Sequence, residues 1–379
     1  MEPPIAAPPV DPAAAVVTRL PEITPLSREP REFTVAAEIL GRIKQRCDAR
    51  RAKDADLPLF PADGIPPWVK PFFEPYKRVL IDRAPAGKPE GLHQAWFVGD
   101  VHGDLVGLVA AFEVIRAQAD YSKDDPIILL GDLIDDLSES EQVLAEVADQ
   151  LNAGSLVLLL VGNHDDALRR TANGGFEANI EPRDYCDFLR RQGDEASCGR
   201  SSRLAESFIS FIKHAPVALF LSDGTVVAHG GVPHTDQHEI LASKGWCESE
   251  SLYDDFIWAR LAARATRRIA VSGSRSQREL GAADFWAFAE VVGKSLHYTP
   301  QRMIRGHDHV DGRVEIFGGP WRGAVLTVNN MSWKLPREMG EEGPRDPCIV
   351  RWTRGEPLQP ILIKLDDQWR REMHLPPGA

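Results

Sequence analysis

Cysteine is scarce in this chain of 379 residues: Cys47, Cys186, Cys198, Cys247 and Cys348 are odd in number and show no Cys-x-x-Cys spacing. They read as free thiols rather than a disulfide framework, which points to a reducing compartment, here expected to be the cytoplasm. Long apolar runs are also missing, since none approaches the roughly 18 residues that a membrane span needs. Residues 1–32 are rich in Pro and Ala but lack a basic start followed by an apolar core, so no secretory signal is expected. No basic run of five or more occurs, and the net charge is −12 with a pI near 5.4. That balance argues against general nucleic-acid or anionic-membrane binding. There is no internal repeat. What remains, 43% hydrophobic and 26% charged residues, suits a globular enzyme with one large domain and extensions.

Against that plain background, five short blocks carry chemistry. They are Gly99-Asp100-Val101-His102-Gly103, Gly131-Asp132-Leu133-Ile134-Asp135, Gly162-Asn163-His164-Asp165, His229-Gly230-Gly231 and Arg305-Gly306-His307-Asp308-His309. Five of the eleven histidines fall inside them. The first three follow the apolar runs Gln94–Val98, Ile127–Leu130 and Leu156–Val161, which read as buried strands bounded by Gly. Leu105 to Ala119 has helical apolar spacing, giving a strand–helix–strand unit, and shorter runs at Val226–Ala228 and Met303–Ile304 precede the last two blocks. In open α/β sheets ligands gather at the carboxyl ends of strands. Each strand here would deliver an Asp, Asn or His to that edge, with Gly permitting a sharp turn and close approach to an ion.

The blocks as a set resemble the calcineurin-like metallophosphoesterase superfamily, most of all its phosphoprotein phosphatase branch. That branch carries Gly-Asp-x-His-Gly, Gly-Asp-x-x-Asp-Arg-Gly, Gly-Asn-His-Glu, His-Gly-Gly and Arg-Ala/Gly-His in this order. The similarity covers about Gln94 to Asn330. It implies an α/β (α+β layered) fold, a β-sandwich flanked by helices with a dimetal site at the strand carboxyl ends. It further implies that Asp100 and His102 hold the first metal, that Asp132 bridges both ions, and that Asn163, His229 and His307 complete the second. His309 has no ligand role among the protein phosphatases, but the second His of a Gly-His-x-His block binds the first metal in other branches, so His309 joins the candidate ligands. A shared carboxylate lets two cations sit about 3.5–4 Å apart and clamp attacking and leaving oxygens. Carboxylate, amide and imidazole donors without thiolate suit manganese, with iron or zinc as alternatives.

The resemblance makes a metal-bridging hydroxide the nucleophile and His164 the general acid, oriented by Asp135. A carboxylate behind an imidazole raises its pKa and sets its tautomer. Asp135 would otherwise serve as cap of a helix beginning near Leu137. Two departures stand out: Asp136 occupies the place of the family's phosphate-gripping Arg, and the third block reads Asn-His-Asp rather than Asn-His-Glu. A carboxylate at Asp136 would repel phosphate. Arg260, Arg275, Arg278 and Arg305 are candidate replacements, and Arg169 and Arg170 follow Asp165 closely.

The expected organisation is a flexible segment 1–32, a helical and Pro-rich extension 33–92 with a helix over Phe33–Lys53, a catalytic domain 93–335, and closing strands with a polar tail over 336–379. Leu168–His214 either lines the cleft or forms a plain helical cap. The function expected is a two-metal phosphomonoesterase resembling serine/threonine protein phosphatases, acting on a phosphoprotein or small phosphoester. The alternatives are a dinucleoside polyphosphate hydrolase or phosphodiesterase, and a non-catalytic phosphate-binding module.

Overall fold

The computed structural model describes residues 29–52, 55–82, 91–192, 198–234, 243, 246–262, 279–296 and 298–374. Two sheets face each other. The first runs, edge to edge, Arg31–Thr34, Gln359–Lys364, Cys348–Thr353, Gln94–Val98, Ile127–Leu129 and Val157–Leu159. Its last three strands are parallel, with Trp96 opposite Ile127 and Ile127 opposite Val157. The second runs Val314–Ile316, Val325–Val328, Arg302–Arg305, Thr225–Ala228, Ala218–Phe220, Val79–Asp82 and Phe73–Tyr76. Here Thr225–Ala228 is parallel to Arg302–Arg305, which is parallel to Val325–Val328.

Alternation along each strand builds the core. Phe97, Ile128 and Leu158 of the first sheet share one apolar layer with Leu219, Val227, Ile304 and Leu326 of the second. Their neighbours Trp96, Val98, Leu129 and Leu159 point the other way, into the layer that holds the helices. Each fully buried side chain of this kind contributes about 1.5–3 kcal/mol of transfer free energy. Leu105–Arg116 and Ser140–Asn152 are the helices of that outer layer. Asp104 caps the first by accepting from the Gly107 N–H at 2.7 Å.

Three sequence expectations change. The helix expected over Phe33–Lys53 spans Ala37–Arg51, and Phe33 instead lies in a strand paired in parallel with Gln359–Lys364. The stretch 33–92 also supplies Phe73–Tyr76 and Val79–Asp82 to the second sheet, which its Pro-rich sequence does not announce. The helix expected near Leu137 begins at Ser140 because Asp135 and Asp136 hold φ of +73° and +65°, outside helical backbone. The expected flexible opening lies, up to residue 28, outside the described residues. Leu168–Arg170 and Phe176–Ala178 form a hairpin, followed by helices Asp184–Arg191 and Cys198–Ile212.

Candidate metal centre

Five strand ends converge at one edge of the sandwich. The parallel strands ending at Val98, Leu129 and Leu159 run into Asp100, Asp132 and Asn163, and those ending at Ala228 and Arg305 run into His229 and His307. A parallel bridge between Asp100 and Asn329 ties the two sheets together there. Gly306 must be Gly, because a Cβ would run into the Asp100 carboxylate. His102, Asp132, Asp135, Asp136 and His307 all have φ between +46° and +73°, a conformation that non-Gly residues adopt at a cost of order 1–3 kcal/mol. Backbone strain of that kind gathers where side chains must be aimed.

The side chains fall into three groups whose ligand atoms lie within 4.8 Å of one another: Asp100, His102 and His309; His102, Asp132 and His164; and Asp132, His229 and His307. Asp132 belongs to two of them. Its Oδ2 is 3.4 Å from His102 Nε2 and 3.3 Å from His229 Nε2, so it stands between the halves. Asn163 Oδ1 lies 2.9 Å from His229 Nε2 and 2.7 Å from His307 Nδ1. On the other side His102 Nε2 and His309 Nε2 face each other at 3.0 Å. All the aspartates and histidines of these clusters are buried except His309, whose side chain is 16% exposed.

These donors fit a pair of divalent cations. His229 Nδ1 meets the Leu130 carbonyl at 3.0 Å and His102 Nδ1 the Ile134 carbonyl at 3.2 Å, which aims each Nε2 lone pair at the aspartates. His307 Nε2 is buried without a hydrogen-bond partner. Burial pushes His102 and His307 well below the ordinary histidine range and His309 down to about 3, keeping these rings neutral. Burial would lower His229 too, yet the Asp132 and Asp100 carboxylates carry it up to about 9. Burial lifts Asp100 to about 7. The centre therefore demands positive charge, as a proton or as a metal ion.

His164 is placed differently. Its Nδ1 is 2.8 Å from Asp135 Oδ2, and its backbone N–H donates to Asp132 Oδ1 at 2.9 Å. Burial opposes its protonation, but Asp132 and Asp135 outweigh burial and raise its pKa. Asp135 accepts from Tyr185 N at 2.9 Å as well, and the Ser140–Asn152 helix starts without a side-chain cap, so Asp135 does not cap it. Asp165 accepts from the backbone N–H of Asp132, Leu133 and Gly162 at 2.8, 3.0 and 3.2 Å, bracing at once the two loops that carry Asp132 and Asn163.

A cleft of about 1310 Å³ opens beside the clusters, lined by Asp132, Asn163, His164, His307 and His309. The hairpin and following turn, from Arg169 through Glu177 to Glu181, form one wall, so Leu168–His214 contributes to the cleft as well as to the helical cap. Arg260 lines it, paired with Asp308 at 2.6 Å. Arg305 is turned away from it, fully buried and bonded to the Gly230 and Ala259 carbonyls, Asp308 and Thr327. Arg275 and Arg278 lie outside the described residues. Asp136 does not stand as an open repulsive charge: its side chain is 1% exposed and paired with Arg337 at 2.5 Å. Arg337 is the site residue that motif reading passes over, because its contact with Asp136 spans 201 positions.

Residues 93–311 match the family model of the calcineurin-like phosphoesterases. Among solved structures, a protein serine/threonine phosphatase from Saccharomyces cerevisiae with similarity to human phosphatase PP5 is 13% identical, covering 87% of this chain and 90% of that one (TM-score 0.49). A putative diadenosine tetraphosphatase is 13% identical over 77% of this chain and 100% of that one (TM-score 0.40). A cold-active protein-tyrosine phosphatase of a psychrophile Shewanella sp. is 14% identical over 82% and 88% (TM-score 0.42). No curated protein sequence matches. The matched span takes in all five blocks and more than half of the chain, which therefore belongs to the calcineurin-like phosphoesterases and is a hydrolase of phosphoric esters.

Proposed function

We propose that the chain is a two-metal phosphomonoesterase of the protein-phosphatase kind, with His164 as proton donor to the leaving oxygen. The observation that carries this reading is the His164–Asp135 pair at 2.8 Å, placed where the ring lines the cleft next to Asp132. Asp100, His102 and His309 would hold one cation, Asn163, His229 and His307 the other, with Asp132 between them. Bound there, the pair would supply positive charge to the phosphoryl oxygens and make an attacking water more acidic. The chain's own residues do the rest. Asp135 holds the proton on His164 Nδ1 and stabilises the imidazolium, so Nε2 delivers its proton as the ester oxygen departs. The apolar layers beneath the clusters remove solvent from one side of them, which strengthens each charge interaction. Manganese is the metal we assign, since imidazole and amide donors disfavour magnesium and no thiolate is present.

The cleft rim favours a monoester on a peptide or small molecule over a dinucleoside polyphosphate. Glu177, Glu181 and Asp311 line it among the arginines, an unfriendly border for a chain of four phosphates. Cys47, Cys186 and Cys348 are buried thiols outside any disulfide, which supports a reducing, cytoplasmic setting. The test is kcat/KM of the manganese-loaded protein on a phosphoserine or phosphothreonine peptide, an aryl phosphomonoester, an aryl phosphodiester and diadenosine tetraphosphate. The monoesters should lead. A clear preference for the diester or the dinucleotide would overturn the reading.

A further inference from the structure

The segment after Asn330 is a strap without helix or strand, closed on itself by an isolated bridge between Trp333 and Pro344. Its hub is Arg313, 1% exposed and held at φ +58°. Arg313 donates to the Met331 carbonyl at 3.1 Å and the Trp333 carbonyl at 2.9 Å, and pairs with Glu338, which accepts from Leu335 N at 2.9 Å. These bonds spend a buried guanidinium on shaping one loop. The product of that shape is the position of Arg337.

Arg337 Nη2 is 2.5 Å from Asp136 Oδ2 and 3.3 Å from His164 Nε2, and Nη1 is 3.3 Å from the Glu181 carbonyl. The side chain is 37% exposed and lines the cleft. A guanidinium carries five donors, more than the two oxygens that Arg337 meets. The cleft's other arginines are engaged elsewhere: Arg169 with Asp166 at 3.2 Å, Arg190 with the Phe176 carbonyl at 2.9 Å, and Arg260 with Asp308 at 2.6 Å. Arg337 is engaged as well, but it is the one placed against the proton donor: an ester oxygen brought to His164 Nε2 lies beside Arg337 Nη2, 3.3 Å from that nitrogen. Asp136 touches both sides, since its Oδ2 is also 3.2 Å from His102 Nδ1.

We propose that Arg337 is the phosphate-binding and specificity-determining residue of this enzyme, an arm delivered by the strap and positioned by Asp136. The proposal rests on the phosphomonoesterase reading and deepens it. A terminal, dianionic phosphoryl group has three free oxygens and can give a planar fork two of them while a third is held elsewhere, whereas a diester has only two free oxygens and one negative charge. The charge reversal at Asp136 thus comes with its own cation from far along the chain.

The experiment is calorimetric titration of the full-length, manganese-loaded protein with inorganic phosphate, alongside steady-state kinetics on an aryl phosphomonoester and metal analysis. Arg337→Ala should weaken phosphate binding by at least about tenfold and raise KM in parallel, with a smaller change in kcat and both manganese ions retained. Arg337→Lys should fall between, because a point charge replaces the fork. Asp136→Asn should weaken phosphate less than Arg337→Ala, since the arm remains but loses its guide. Unchanged or tighter phosphate binding in Arg337→Ala would overturn the proposal, making the residue a plug. Loss of manganese in that variant, with unfolding excluded by its melting curve, would overturn it too. If Arg337→Ala loses phosphate affinity but the parent hydrolyses no monoester, the arm stands and the phosphomonoesterase reading falls.

Discussion

The two halves of the candidate metal centre differ in enclosure. Around Asn163, the His229 and His307 rings and Asp132 are all buried, and Asn163 Oδ1 is within 2.9 Å of a nitrogen on each ring. Around Asp100, the ring of His309 comes from a turn beyond the strand, is 16% exposed, and approaches Asp100 no closer than 4.0 Å. A ligand with solvent at its back can swing away without opening the core, while one inside the sandwich cannot. One cation should therefore be a near-permanent part of the fold and the other exchangeable. Asp132, shared by both, is the residue on which the distinction collapses.

The largest effect should therefore come from Asp132. Asp132→Asn should remove both metals and reduce turnover to background, as a chelator does, with manganese restoring only the chelated parent. Metal analysis of the purified variant checks this. Two ions at normal occupancy would show that the halves do not depend on a common carboxylate. Next in size is His164→Asn, which should keep both metals yet lower kcat roughly 10²–10⁴-fold on esters with poor leaving groups. The loss should shrink on aryl phosphates, whose leaving oxygen needs little protonation. Metal loss in that variant would move His164 from chemistry to ligation.

A smaller effect should separate His309 from His307. His309→Ala should weaken one manganese ion by about tenfold or more and leave the other tight, whereas His307→Ala should disturb the buried half and lower thermal stability as well. Titrating manganese into each stripped variant separates the two. Equal losses in both would mean that exposure at His309 has no consequence for exchange.

Much of this candidate centre is legible because its residues stand just past the ends of strands. An apolar run, a Gly and a polar donor within a few positions announce Asp100, Asp132 and Asn163 without reference to the rest of the chain. The same local logic finds the closing strands, which the structure gives as Cys348–Thr353 and Gln359–Lys364. It fails where a residue acquires meaning from a distant partner. Phe33 becomes strand only because Ile363 lies beside it, and Val79–Asp82 only because Ala218–Phe220 does. Arg337 is ordinary until it meets Asp136. One signal was available: a carboxylate in a phosphate-handling loop needs a cation, so Asp136 in place of Arg pointed to an arginine from outside the motifs.

The smallest expected effect tests the scaffold behind the buried half. Asp165 carries no ligand role, but its carboxylate accepts three backbone N–H groups, from Asp132, Leu133 and Gly162. Those three amides belong to the two loops that present Asp132 and Asn163, and Asp132 itself is held at φ +52°. Asp165→Asn keeps the size but replaces one acceptor oxygen with a donor, which would face at least one of these amides. Leaving buried groups unmatched costs about 1–3 kcal/mol, so the midpoint in urea should fall while the slope stays constant. Manganese affinity in the buried half should drop by at most about 10–100-fold, as for other residues that orient ligands without binding the metal. The exchangeable half, whose His309 stands on a different turn, should be nearly unaffected. If Asp165→Asn instead releases the ion held by Asp100, His102 and His309 first, the enclosure argument is wrong, and the two halves are coupled through the Asp132 loop rather than separated by solvent exposure.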